Sequence, residues 1–368
     1  MDEGLTVRDI DKIPTPAALV DLDVLERNVS RMARRCREAG VQLRPHAKTH
    51  KSLDIALLQG REAVGLTVAK VSEAEVFVAG GVHDVFVAYP VVGEARARRL
   101  VALHERARIA VGVDSVAGAR TLGPTFQEAG RVLDVMLELD TGLHRTGVPP
   151  AGALGVAQAV AEVAGLRLRG VFTHAGHVYG ARTPEERATI ADEESTQAVE
   201  VAQRLRNVGL ECTEVSVGST PTVTRGSLAR GVTEVRPGNY VFHDASQVNL
   251  GVCDIEDCAL TVAATVVSVP APDRAVLDAG SKALSKDPLA PEGGGFGWLL
   301  GRRSRIVALT EEHGVVRVED GESFAVGERV RILPNHCCVV VNLFDRLMGL
   351  RGHRFETEIA VDARGCSW

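Results

Sequence analysis

The alternation of strand and helix through the first two thirds of the chain constrains its fold more than any other feature. From TPAALVD (15–21) to TEVRPGNY (233–240), short β-favouring runs such as DVFVAY (84–89), RIAVGVD (108–114) and RVLDVMLELD (131–140) alternate with stretches whose apolar residues recur at helical spacing. Strands separated by helices predict a parallel sheet, and eight such units predict a closed (β/α)8 barrel. After about residue 248 the pattern changes. ALTVAATVVSV, RAVLDAG, RIVAL, GVVRV and RVRILPNHCCVVVNL are β-rich runs separated by Gly, Pro and acidic turns, which predicts an antiparallel β domain. The expected organisation is α/β plus β: an N-terminal TIM-like barrel over 15–248, and a C-terminal antiparallel domain over 249–368 joined by 1–14. A chain of 368 residues is long enough for both cores.

Composition narrows the function classes. Hydrophobic content of 45% with 24% charged residues is that of a soluble globular protein. A net charge of −6 with no basic tail or stripe argues against nucleic acid as a partner. No apolar run approaches a membrane span, and MDEGLTVRDIDK is too acidic and polar for a signal peptide. Seven cysteines, an odd number without regular pairing, make a reducing cytoplasm the expected compartment.

Four stretches carry candidate chemistry. In VQLRPHAKTHK (41–51), Lys48 stands where a strand ends and a helix is about to begin, the end of a (β/α) unit where chemistry gathers. Arg44, His46, His50 and Lys51 surround it with positive or potentially positive groups. Such neighbours lower an amine's pKa and prepare it to condense with a carbonyl. SVGSTPT (216–222) is a small-residue turn whose N–H groups and hydroxyls can cradle a phosphate, and Gly238 in VRPGNY (235–240) permits close backbone approach. HAGHVY (174–179) offers two imidazoles and a phenol after a strand. In PNHCCVVV (334–341), His336 and Cys338 are two apart, so on an extended strand they share a face, with Cys337 turned into the core. Imidazole plus thiolate suits Zn²⁺, with the remaining positions open to water or substrate. Each stretch also has a plain structural reading: a solvated basic loop, an ordinary turn, a satisfied histidine, a buried strand with inert cysteines.

TPAALVDLDVLERNV followed by RPHAKTHK resembles the opening of pyridoxal phosphate enzymes of the alanine racemase fold, fold-type III. Within that fold it resembles the D-threonine aldolase and D-serine dehydratase family. The resemblance implies that Lys48 holds the cofactor covalently. It also implies that Arg145 in ELDTGLHRTG (138–147) touches the cofactor's phenolate oxygen, and that Gly218, Ser219, Thr220, Gly238, Asn239 and Tyr240 supply the phosphate site. HAGHVY is similar to the HAGHSY stretch of D-serine dehydratases, which places His177 and Tyr179 near the cofactor as catalytic candidates beside Lys48. An HxC pair at the position of His336 and Cys338 is the zinc site of the dehydratases, where the aldolases commonly carry HxD; Mn²⁺ or Mg²⁺ are the alternatives. DAGSKALSKD (278–287) and TEEHG (310–314) match further motifs, with Glu312 and His313 as supporting candidates. The implied activity is a metal-dependent lyase acting on small β-hydroxy-D-amino acids in a homodimer. Dehydration of the D-serine/D-threonine type comes first and D-threonine aldolase-type cleavage second. A racemase or a non-catalytic pyridoxal phosphate binder would leave the HxC pair unexplained.

Overall fold

The computed structural model describes residues 10–226, 228–289, 294–352 and 354–368. In chain order its strands begin with β1 (Ala17–Asp21), which does not join the barrel. The barrel strands are β2 (Gln42–Leu43), β3 (Leu66–Val68), β4 (Asp84–Pro90), β5 (Arg108–Val113), β6 (Leu133–Leu139), β7 (Leu166–Thr173), β8 (Glu214–Val217) and β9 (Glu234–Val235). They pair in the order β2-β9-β8-β7-β6-β5-β4-β3, all in parallel. The continuation of β2 closes the ring: the Thr67 N–H donates to the Pro45 carbonyl at 2.8 Å, and His46 bridges Thr67.

Parallel strands covered on both faces need near-continuous apolar side chains, and β6, LDVMLEL, is buried along its whole length. Inside the barrel Phe86, Met136 and Phe172 form a cluster with Ala88 and Ala110. The Phe86 and Phe172 rings meet edge to face with centroids 5.0 Å apart. A Cβ at position 112 would stand 2.7 Å from the Phe172 ring, so Gly112 makes room for it. Outside, the long polar segment is a helix, Pro184–Asn207, as its periodicity predicts. The Thr183 hydroxyl caps it by accepting the Glu186 N–H at 3.1 Å, and Pro184 occupies the first turn.

The strand starts carry an ion network. Arg44 binds Glu234 at 2.6 Å and also Asp84; Arg169 binds Glu214, and Asp134 at 3.2 Å. This corrects the expectation that Arg44 adds positive charge around Lys48, because its guanidinium is neutralised by two carboxylates.

The other unit comprises the chain up to residue 30 together with 49–54 and 239–364, while 31–48, 55–238 and 365–368 belong with the barrel. Its further strands are β10 (Leu260–Ala271), β11 (Arg274–Leu277), β12 (Trp298–Leu299), β13 (Arg305–Leu309), β14 (Gly314–Arg317), β15 (Arg329–Leu333), β16 (Arg346–Arg351) and β17 (Arg354–Ala360). Strand β10 pairs with β15 over its first half and with β11 over its second, so β10-β11-β14-β13-β12-β15 closes a six-stranded ring. Strand β1 lies between β10, antiparallel, and β16, parallel. The boundary therefore differs from the expected 15–248. A short run buried on both faces reads alike in either sheet, and only its hydrogen-bond partners assign it. Residues 1–9 of the segment expected to join this domain lie outside the described residues.

Candidate active site

Pro45 and His46 end β2, and the chain enters the short turn Ala47–Thr49 that presents Lys48 at the carboxyl end of the barrel. The Lys48 N–H donates to His46 Nδ1 at 3.3 Å. His174 follows directly after β7 and is half-buried. Burial holds its imidazole neutral, with a pKa well below the usual value, and Lys48, Arg145, Arg236 and His177 push in the same direction. Four cationic or potentially cationic groups therefore surround one neutral imidazole at the barrel mouth. Arg145 is half exposed and lies 4.0 Å from the buried Glu138. Arg236 is buried; it donates to Ser216 Oγ at 2.6 Å and to the Thr173 carbonyl, and lies over the Phe172 ring at 5.3 Å. Sequence reading passed over Arg236, and of the two imidazoles in HAGHVY it carried only His177 forward; positions at the ends of β9 and β7 were the available signal.

His177 and Tyr179 lie in the turn Gly176–Gly180. His177 Nδ1 is buried without a hydrogen-bond partner, and Gly142, at φ +126, lets its loop close on the His177 ring. Glu194, buried in helix Pro184–Asn207, ties two loops together through one oxygen: its Oε1 accepts the N–H of Ala175 and that of Gly218, each at 3.0 Å. The Ser219 N–H donates to Thr222 Oγ1 at 2.8 Å. The amides of Gly218 and Ser219 thus have partners within the fold. Thr220 and Gly238 also lie in the barrel unit. Asn239 and Tyr240 belong to the other unit, where Asn239 Nδ2 donates to Asp244 Oδ2 at 2.6 Å and to Cys337 Sγ at 3.3 Å.

In that unit His336 is extended, but it caps the helix Cys337–Val341, so the HxC pair is not on a strand. The period-two argument fails here, because the chain turns at Pro334 and Asn335 after β15. Asn335 pins the turn by donating to the carbonyls of Asp287 at 3.0 Å and Gly295 at 2.9 Å. The pair converges nonetheless: the side chains of His336 and Cys338 hydrogen-bond to one another. His336 Nδ1 meets Asp287 Oδ2 at 2.7 Å, and the Cys338 thiol donates to Thr49 Oγ1 at 3.2 Å. Burial favours the neutral imidazole, but Cys338, Asp244 and Asp287 outweigh it and raise the His336 pKa to about 10. Cys337 is fully buried, as expected, although the strand geometry from which that was argued is absent. Glu312 and His313 are exposed, with Glu312 paired to Lys282 at 2.6 Å.

Two family models match the chain: alanine racemase, N-terminal domain, over residues 20–246, and putative serine dehydratase domain over 259–350. A D-threo-3-hydroxyaspartate dehydratase of Delftia sp. (strain HT23) is 39% identical, covering 89% of this chain and 91% of that protein. The chain belongs to the D-threonine aldolase and D-serine dehydratase family of the alanine racemase fold. A D-threonine aldolase of Arthrobacter sp. is 35% identical over 97% of this chain and 94% of its own. Among solved structures, the metal-free form of a cysteine-to-alanine variant of D-threo-3-hydroxyaspartate dehydratase is 37% identical. It matches with a TM-score of 0.91 over 98% of this chain and 100% of that one.

The residues present fit the groups that the family implies. For pyridoxal phosphate there are an amine at a strand end, a concentration of positive charge for an anionic ligand, and the unpartnered His177 Nδ1. For a divalent metal there are imidazole and thiol in contact, with Asp287 on Nδ1, which orients the ring and leaves Nε2 to ligate. Among the described residues no group of three or more His, Cys, Asp or Glu is placed to hold a metal. Asp287 and Asp244 were not singled out in the sequence.

Proposed function

We infer that the chain is a pyridoxal phosphate-dependent lyase of D-amino acids, and propose that it dehydrates β-hydroxy-D-amino acids of the D-serine and D-threonine type with the help of a divalent metal. The observation that carries this reading is Lys48 at the barrel mouth, grouped with Arg145, Arg236 and His177 around the neutral His174. When bound, pyridoxal phosphate supplies a ring that accepts the electrons released at Cα. When bound, Zn²⁺ supplies a Lewis acid for the β-hydroxyl. Lys48, released when the substrate's amine takes its place on the cofactor, would then take the Cα proton on its free amine. Arg145, which stays charged, holds the cofactor's phenolate oxygen as an anion. His177 and Tyr179 would hold the substrate and cofactor in register, Gly218, Ser219, Thr220, Gly238, Asn239 and Tyr240 would receive the phosphate, and His336 with Cys338 would receive the metal. A homodimer and a cytoplasmic location belong to the same proposal.

Product analysis with D-serine and D-threonine tests it. Pyruvate or 2-oxobutyrate with ammonia is the expected outcome. Glycine with acetaldehyde from D-threonine would assign aldol cleavage, the second reading, which the D-threonine aldolase relative favours. L-Serine turned over as fast as D-serine would overturn the stereochemical part.

A further inference from the structure

We propose that Lys70, seated on Tyr89, is a subsite for a carboxylate on the substrate's side chain. Its favoured substrates would then be acidic β-hydroxy-D-amino acids; this rests on the lyase reading above. Strands β2 and β3 are neighbours through the His46–Thr67 bridge. Lys48 lies two residues beyond that bridge and Lys70 three, so both leave the barrel at its carboxyl end, one strand apart. The Lys70 ammonium stands 3.8 Å from the centre of the Tyr89 ring, at the end of β4. The ring holds the cation by its negative face and does not neutralise it. The nearest acid in sequence, Glu73, is committed to the N–H groups of Ala69 at 2.7 Å and Lys70 at 3.3 Å. Among the described residues no carboxylate is paired with the Lys70 ammonium, whereas Arg236 and Arg145 face Glu234, Glu194 and Glu138. Lys70 is half-buried and Tyr89 is exposed, so an anion can reach the ammonium from solvent. A half-buried cation without an acid partner at the mouth of a barrel is a position for an anion from outside.

The test uses the holoenzyme and its Lys70→Met and Lys70→Arg variants. On D-threo-3-hydroxyaspartate, Lys70→Met is expected to lose kcat/KM at least about tenfold more than on D-serine, mostly through KM, and Lys70→Arg is expected to recover most of the difference. Calorimetric binding of D-aspartate to the holoenzyme should weaken in Lys70→Met far more than binding of D-alanine. Equal losses on both substrates would assign Lys70 to the α-carboxylate, and no loss on either would remove it from the site; both outcomes overturn the proposal. The binding arm reads the subsite even if neither substrate is turned over, which separates its failure from failure of the lyase reading.

Discussion

At the scale of single residues, the chemistry rests on a few groups with distinct roles. Lys48→Ala should abolish the visible absorbance of bound pyridoxal phosphate. Borohydride reduction of the wild type followed by peptide mapping should label Lys48; a label on Lys51, Lys70 or Lys282 would refute the assignment. The metal pair predicts a different signature, because cofactor binding does not need it. Chelation should leave the cofactor spectrum intact and lower turnover by about tenfold or more, with activity restored by added Zn²⁺. Asp287→Ala removes the carboxylate on His336 Nδ1 and should weaken metal affinity by roughly 10–100-fold. Cys337→Ala removes a buried thiol that accepts from Asn239, so thermal stability should fall while bound zinc stays. Loss of zinc from Cys337→Ala as complete as from Cys338→Ala would contradict the site.

At the scale of elements, Glu194 shows how a helix can set two loops at once. Its folded pKa is raised, chiefly by burial, so the folded state holds this proton more tightly than the unfolded state does. The stabilising contribution is present below the unfolded pKa and is lost as pH rises through the folded one. Glu194→Gln keeps the accepting oxygen and removes the charge, so its Tm relative to wild type should climb as pH rises through and above the ordinary carboxylate range. A difference that stays flat across that range would contradict burial as the cause. Glu194→Ala leaves two buried N–H groups unpaired and should cost about 2–5 kcal/mol at mildly acidic pH, while weakening cofactor binding. The segment after Pro334 teaches the converse lesson about propensity. Three consecutive valines favour a strand, yet Cys337–Val341 is helical. The Cys337 N–H donates to the buried Asp244 at 3.0 Å, an anchor that local preference does not contain.

Across the whole molecule, charge divides the barrel into two ends. The strand starts pair arginines with carboxylates, and the strand ends bring Lys48, Arg145 and Arg236 near His174. The first end supports stability, and the second is where the proposed chemistry lies. Arg44→Met should therefore destabilise the fold by about 3–5 kcal/mol, because Glu234 and Asp84 are left without their guanidinium. Denaturant titration of the holoenzyme checks this: the midpoint should fall, while the cofactor spectrum of the protein still folded is unchanged.

Periodicity by itself determined the alternating barrel and the later β-rich domain, because both follow from how often an apolar side chain returns to one face. The motif around Lys48 was legible locally only as a strand end followed by a turn; its proposed role came from resemblance, and the crowd of cations expected there lost Arg44 to Glu234 and Asp84. Tertiary structure alone decided the rest. Strand β1 could be assigned to the antiparallel sheet only from its partners in β10 and β16, which lie hundreds of residues away. Arg44 belongs to the ion network because Glu234 and Asp84, on strands far from it in sequence, arrive at its guanidinium. His174, Glu194, Arg236 and Asp287 take their roles from what burial brings beside them, and His336 meets Cys338 across a helix start. Distances across the fold are set by packing, and no spacing along the chain encodes them.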